Sequence, residues 1–127
     1  MDKMFAAEFY YSVPGGRRYA ETAKHLYDIA VLSALPEIKS VLADKEKCAY
    51  LTGLTRREEA VRHNSDLKDK PFSAFAVFDE FHKNNEFLRA YAAMQRVYVP
   101  DEKDIITINE LRRAIDEIYG QVKAWDF

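Results

Sequence analysis

Apolar and polar positions change period several times along the chain. Residues 3 to 12, KMFAAEFYYS, alternate, with Phe5, Ala7, Phe9 and Tyr11 on one side and Met4, Ala6, Glu8 and Tyr10 on the other. That period of two predicts a strand. Val13, Pro14, Gly15 and Gly16 then end it, because proline donates nothing to a ladder and glycine permits a sharp change of direction. From Tyr19 the spacing becomes helical. Tyr19, Ala23, Leu26, Tyr27, Ala30, Val31 and Ala34 fall on one face. Ile29 and Leu32 lie outside that stripe, so this helix is expected to be buried on more than half its circumference and to be central. Pro36 opens a second short helix through Ile38, Val41 and Leu42.

The middle of the chain is less periodic. Residues 48 to 52, CAYLT, read as a short strand closed by Gly53. Thr55 and Glu58 have the spacing of a capping box, which predicts a helix starting there. Its apolar side, Ala60, Val61 and Leu67, is thin, so it belongs on the surface. Residues 72 to 78 are apolar on both faces and predict a buried strand, although a helix running on through Phe81 would use the same residues. Asn84 or Asn85 is a suitable cap for a helix with Phe87, Tyr91, Met94 and Tyr98 as its stripe. Thr107 and Glu110 form a capping box flanked by Ile106 and Leu111 as a hydrophobic staple. Leu111, Ile115, Ile118, Tyr119, Val122 and Trp125 continue that last helix. The expected fold is therefore α+β: one helix-rich domain over 1–127 with no linker, about three short strands in an antiparallel or mixed sheet, and about four to five helices. If residues 72 to 78 are helical, the chain is all-α.

Composition adds limits. With 127 residues, 48% hydrophobic and 13% aromatic, and only four glycines and four prolines, the chain can build a real core and is not a disordered segment. Nineteen basic and 21 acidic side chains give a net charge of −2, which excludes a globally basic nucleic-acid binder but not a local patch. Residues 1–63 hold ten positive and nine negative charges, whereas 64–127 hold nine and twelve, so any basic side lies in the first half. A single cysteine, Cys48, allows neither an intrachain disulfide nor a cysteine metal cluster, and it fits a reducing, cytoplasmic setting. The start of the sequence lacks the long apolar run of a secretory signal, and no stretch is apolar enough to span a membrane.

The chemistry-bearing residues form two sets. Gly15, Gly16, Arg17 and Arg18 precede a helix, where backbone N–H groups and guanidinium forks attract phosphate. They match neither the phosphate-binding loop nor the dinucleotide fingerprint. Arg56, Arg57, Arg62 and His63 are the other residues expected on a phosphate-facing surface, with Tyr10 and Tyr11 beside the turn as stacking candidates. The second set is aromatic. Tyr10, Tyr11, Tyr91, Tyr98 and Trp125 are candidates for an interface, since tyrosine buries a ring while its hydroxyl stays wet.

Catalysis has no signature. His25, His63 and His82 are too far apart in sequence to form a metal motif. The adjacent carboxylate pairs Glu58-Glu59, Asp79-Glu80 and Asp116-Glu117 project about 100° apart on a helix and do not face one substrate. Cys48 with His25 or His63 as base is the one nucleophile arrangement, but a lone cysteine in an apolar run is more commonly a small core residue. No cofactor is expected. The sequence thus favours a small binding protein acting through protein contact or self-association. The alternative is a nucleotide or nucleic-acid binder using the Gly15 to Arg18 turn.

Overall fold

The computed structural model describes residues 1–12, 18–62, 66–125 and 127. Among them are seven α-helices: α1 (Asp2–Ser12), α2 (Tyr19–Ser33), α3 (Pro36–Leu42), α4 (Lys45–Arg62), α5 (Val77–Glu80), α6 (Asn85–Tyr98) and α7 (Ile108–Ala124). Short 3-10 turns at Asp66–Lys68, Phe72–Ala74, Phe81–Lys83 and Glu102–Asp104 join them. No described residue is in a strand. The α+β expectation is thereby corrected to an all-α fold, and each of the three expected strands fails for its own physical reason.

The first is α1. Its buried residues, Met4, Phe5, Ala7, Glu8 and Tyr11, follow the 3.6-residue period. The alternation set Glu8 on the opposite side from Phe5, Ala7 and Tyr11, yet Glu8 is fully buried together with them. Its carboxylate accepts from the backbone N–H groups of Ala76 and Val77, both at 2.9 Å, from Ser12 Oγ at 2.9 Å and from Lys70 Nζ at 3.1 Å. Those two N–H groups open α5, so a side chain from α1 fills the N-terminal acceptor role that α5 lacks in its own sequence.

The second expected strand, residues 48 to 52, lies inside α4. The buried positions of α4 are Cys48, Thr52, Thr55 and Glu59, at helical spacing but mostly polar by type. Thr55 is therefore not a cap. Its hydroxyl donates to Asp2 Oδ1 at 2.8 Å and back to Leu51 O at 3.0 Å. The third, residues 72 to 78, is a 3-10 turn, an extended residue at Phe75 and the start of α5. Phe72, Phe75, Val77, Phe78 and Phe81 are all buried. Local turns satisfy the backbone there, with Ala74 N–H on Pro71 O and Phe75 N–H on Phe72 O, so no sheet partner is required.

This segment is the aromatic centre of the molecule. Phe5 meets Phe72 and Phe75 edge to face, Phe75 stacks on Phe78, and Phe78 lies 4.9 Å from Tyr119 of α7. The Tyr119 hydroxyl donates to Phe72 O at 2.7 Å, and burial pushes its pKa up to about 12. α2 packs against α1, α6 and α7 and is central, as its broad apolar face predicted. Ile29 is nevertheless buried and Val31 exposed, so the buried stripe is rotated from the expected one.

The two capped helices form as expected. Asn84 accepts from Phe87 N–H at 3.0 Å, and Thr107 accepts from Glu110 N–H at 3.2 Å. Pro36 stands at the first position of α3. Gln95 clamps the connection before α7, accepting from Ile106 N–H at 2.8 Å and donating to Ile106 O at 3.0 Å. None of the described helices is long and apolar enough to cross a membrane.

Candidate functional site

A cleft of about 340 Å³ opens between α1, α2 and α4. Asp2, Lys3, Ala6, Phe9 and Tyr10 of α1 form one wall, His25 of α2 the second, and Thr55, Glu58, Glu59 and Arg62 of α4 the third. The elements position these groups by simple spacing. Asp2, Lys3, Ala6, Phe9 and Tyr10 recur on one face of α1, and Thr55, Glu58, Glu59 and Arg62 recur at three- and four-residue steps on α4. The hydrogen bond from Thr55 to Asp2 closes the floor.

Tyr10 is the pivot of the site. The His25 ring stacks on it at 5.6 Å with planes only 10° apart, Phe9 packs its edge at 5.3 Å, and the Arg18 guanidinium lies 5.8 Å from its centroid. Arg18 is the residue before α2, and it supplies no side-chain acceptor to the first turn of that helix. The fold therefore brings two of the sequence candidates, Tyr10 and Arg62, into one cleft from two helices, while a third, Arg18, lies against the Tyr10 ring without lining the cleft. Gly15, Gly16, Arg17 and His63, also singled out in the sequence, lie outside the described residues.

The electrostatics are mixed. Lys3 is 2.9 Å from Asp28, which holds it at the cleft wall. Burial, aided by the Lys3 ammonium, pushes the His25 pKa down against the opposing pull of Asp28 and Glu21. Its Nδ1 is buried and finds no hydrogen-bond partner among the described residues. His25 therefore enters the site as a neutral stacking ring. Asp2, Glu58 and Glu59 bring carboxylates that repel a bare anion but accept hydrogen bonds from a ligand's own donors.

The remaining candidates lie elsewhere. Arg56 faces away from the cleft, donating to Leu67 O at 2.8 Å, Lys70 O at 2.7 Å and Phe127 O at 3.4 Å, while its guanidinium lies 5.1 Å from the Phe5 ring. Those bonds tie α4 to the segment that follows it. Arg57 is exposed. Tyr11 and Tyr91 are buried, with hydroxyls on Glu80 Oε2 at 3.0 Å and Ile106 O at 2.7 Å. Tyr98 is exposed and donates to Asp28 Oδ1 at 3.1 Å, and Trp125 is half-buried against Phe127. Cys48 is buried, its thiol donates to Val41 O at 3.3 Å, and burial raises its pKa, which disfavours the thiolate.

Sequence reasoning missed Asp2 and Lys3. Their signal was the polar pair at the start of a segment whose later positions fit a helix as well as a strand. Reading 3 to 12 as a strand removed the face that sets them opposite α4. The chain matches no family model, no curated protein and no solved structure.

Proposed function

We propose that the chain binds a phosphate-bearing ligand, a nucleotide or a short nucleic-acid segment, at the cleft between α1, α2 and α4. The observation that carries this reading is that Arg62 lines a cleft walled by Tyr10, whose ring also carries the Arg18 guanidinium at 5.8 Å. Arginine forks at the rim suit phosphate oxygens. The carboxylates of Asp2 and Glu58 suit hydroxyl and amino donors of a sugar or base. An inorganic phosphate alone meets their repulsion without using their acceptors, so the ligand that fits carries both kinds of group.

The test is calorimetric titration with adenosine diphosphate, a short single-stranded oligonucleotide and inorganic phosphate at low and high salt. Expected are saturable binding of at least one of the first two, weakened by salt, and little binding of phosphate alone. Arg18→Ala and Arg62→Ala should each weaken binding about tenfold or more, the loss of one charge-assisted contact. No binding of any probe, or binding unaltered in the double variant, would sink the proposal. A second reading, action through protein contact, rests on an apolar stripe that α4 turns to solvent.

A further inference from the structure

The outer face of α4 exposes Tyr50 (65%), Leu54 (37%) and Val61 (87%). At about 100° per residue these three fall in one narrow stripe, opposite the buried Cys48, Thr52, Thr55 and Glu59. Beside the stripe a shallow groove runs between α3 and α4, lined by Val41, Tyr50 and Leu51 together with Glu46 and Lys47. On the same helical wheel, Lys47 and Glu58 flank the stripe on one side and Glu46 and Arg57 on the other. None of these four forms an ion pair among the described residues.

We infer that this face pairs with the same face of a second copy, with the two α4 helices antiparallel. In an antiparallel pair, groups on the same flank meet, and one register satisfies the stripe and both flanks together. With the two-fold axis level with Thr52, Tyr50 lies against Leu54 of the second copy, Lys47 reaches Glu58, and Glu46 reaches Arg57. Each contact occurs twice, as an isologous interface requires. Val61, the most exposed of the three, then arrives near the turn between α3 and α4 of the second copy. Antiparallel alignment also sets the helix dipoles head to tail. α4 has 18 residues, about 27 Å at 1.5 Å per residue. Such a strip with the groove walls buries on the order of 500 Å² per copy, the lower edge of specific interfaces, so the dimer is weak and concentration-dependent.

The test is sedimentation equilibrium of the full chain from about 1 μM to about 1 mM. The unaltered chain should pass from monomer to dimer within that range. Leu54→Glu should raise the dissociation constant at least about 30-fold, and Val61→Glu, at a position with no part in the core, should also raise it. Circular dichroism should show that both variants keep their helices. Lys47→Glu and Glu58→Lys should each weaken the dimer, and the two together should restore it. A chain that stays monomeric throughout, or a dimer that neither glutamate variant weakens, overturns the proposal. Failure of the paired swap to restore association overturns the antiparallel register.

Discussion

Residues 72 to 81 and residues 36 to 62 are held to the molecule by opposite means. The first stretch is short and irregular, yet Phe72, Phe75, Val77, Phe78 and Phe81 all enter the central hydrophobic cluster. The second is mostly regular helix, yet among the described residues none from 31 to 66 belongs to the buried part of that cluster. α3 buries no residue fully, and α4 attaches through Thr55 on Asp2 and Arg56 on the carbonyls of Leu67 and Lys70. The difference teaches that helical regularity and depth of burial are separate quantities here. Apolar contact with a buried carboxylate fixes the irregular segment, while directional polar bonds fix the regular one. The consequence for function is that the α4 side keeps charged and apolar groups free to meet a ligand or a partner, whereas the aromatic side has spent its groups on the core.

The largest expected effect lies at the point where the aromatic side depends on a charge. Glu8→Ala removes the acceptor of two buried N–H groups and leaves Lys70 without its partner. It should cost about 3–5 kcal/mol, read as a fall in the urea midpoint, and a loss below about 1 kcal/mol would break the comparison. On the other side, Arg56→Lys keeps the charge but not the guanidinium whose two terminal nitrogens reach three carbonyls. It should cost about 1–3 kcal/mol and should speed amide exchange in α4 more than in α1.

Smaller effects sharpen the contrast. Gly53 lies within α4, and a Cβ built there meets nothing within 4 Å. Gly53→Ala should therefore stabilise by roughly 0.5–1 kcal/mol, measured by chemical denaturation, and a destabilised variant would show that this face is already covered. The pH dependence follows from the histidines. Burial lowers the pKa of both His25 and His82, with Lys3 and Arg112 respectively as the next cause. The unfolded chain then binds protons that the folded chain does not, so stability is fully present above the ordinary value of 6.5 and is lost as pH falls below it. The melting temperature should drop between pH 7 and about 5.5, and His25→Gln with His82→Gln should flatten that drop. An unchanged slope would assign the effect to other groups.

The legible parts of the sequence were those in which one physical signal decided the matter. Asn84 and Thr107 announced α6 and α7 because a cap followed by an apolar stripe has no competing explanation. Pro36 did the same for the start of α3. The failures were equally specific. Glu8 misled because the alternation set it apart from residues with which it is buried, and three of its partners, Lys70, Ala76 and Val77, are 62 to 69 residues away. α4 misled because Thr52, Thr55 and Glu59 form its buried face, so residue type gave no stripe to follow. Residues 72 to 78 misled because being apolar on both sides carries no period. At and beside the cleft, Tyr10, Arg62 and Arg18 were legible as residues able to stack or bind phosphate. Their convergence was not, since it depends on α1 being a helix that sets Asp2 and Lys3 opposite α4.

The central claim is that the irregular aromatic segment is the more deeply held part and the α3–α4 side the more readily opened one. Residue-resolved hydrogen exchange under native conditions tests it most directly. The account predicts that the Val77 amide, bonded to Glu8, and the inner face of α7 exchange only with global unfolding, while amides of α3 and the first turns of α4 exchange through local opening at a lower free energy. Equal protection of α3 and Val77, or earlier exchange of Val77, would contradict it.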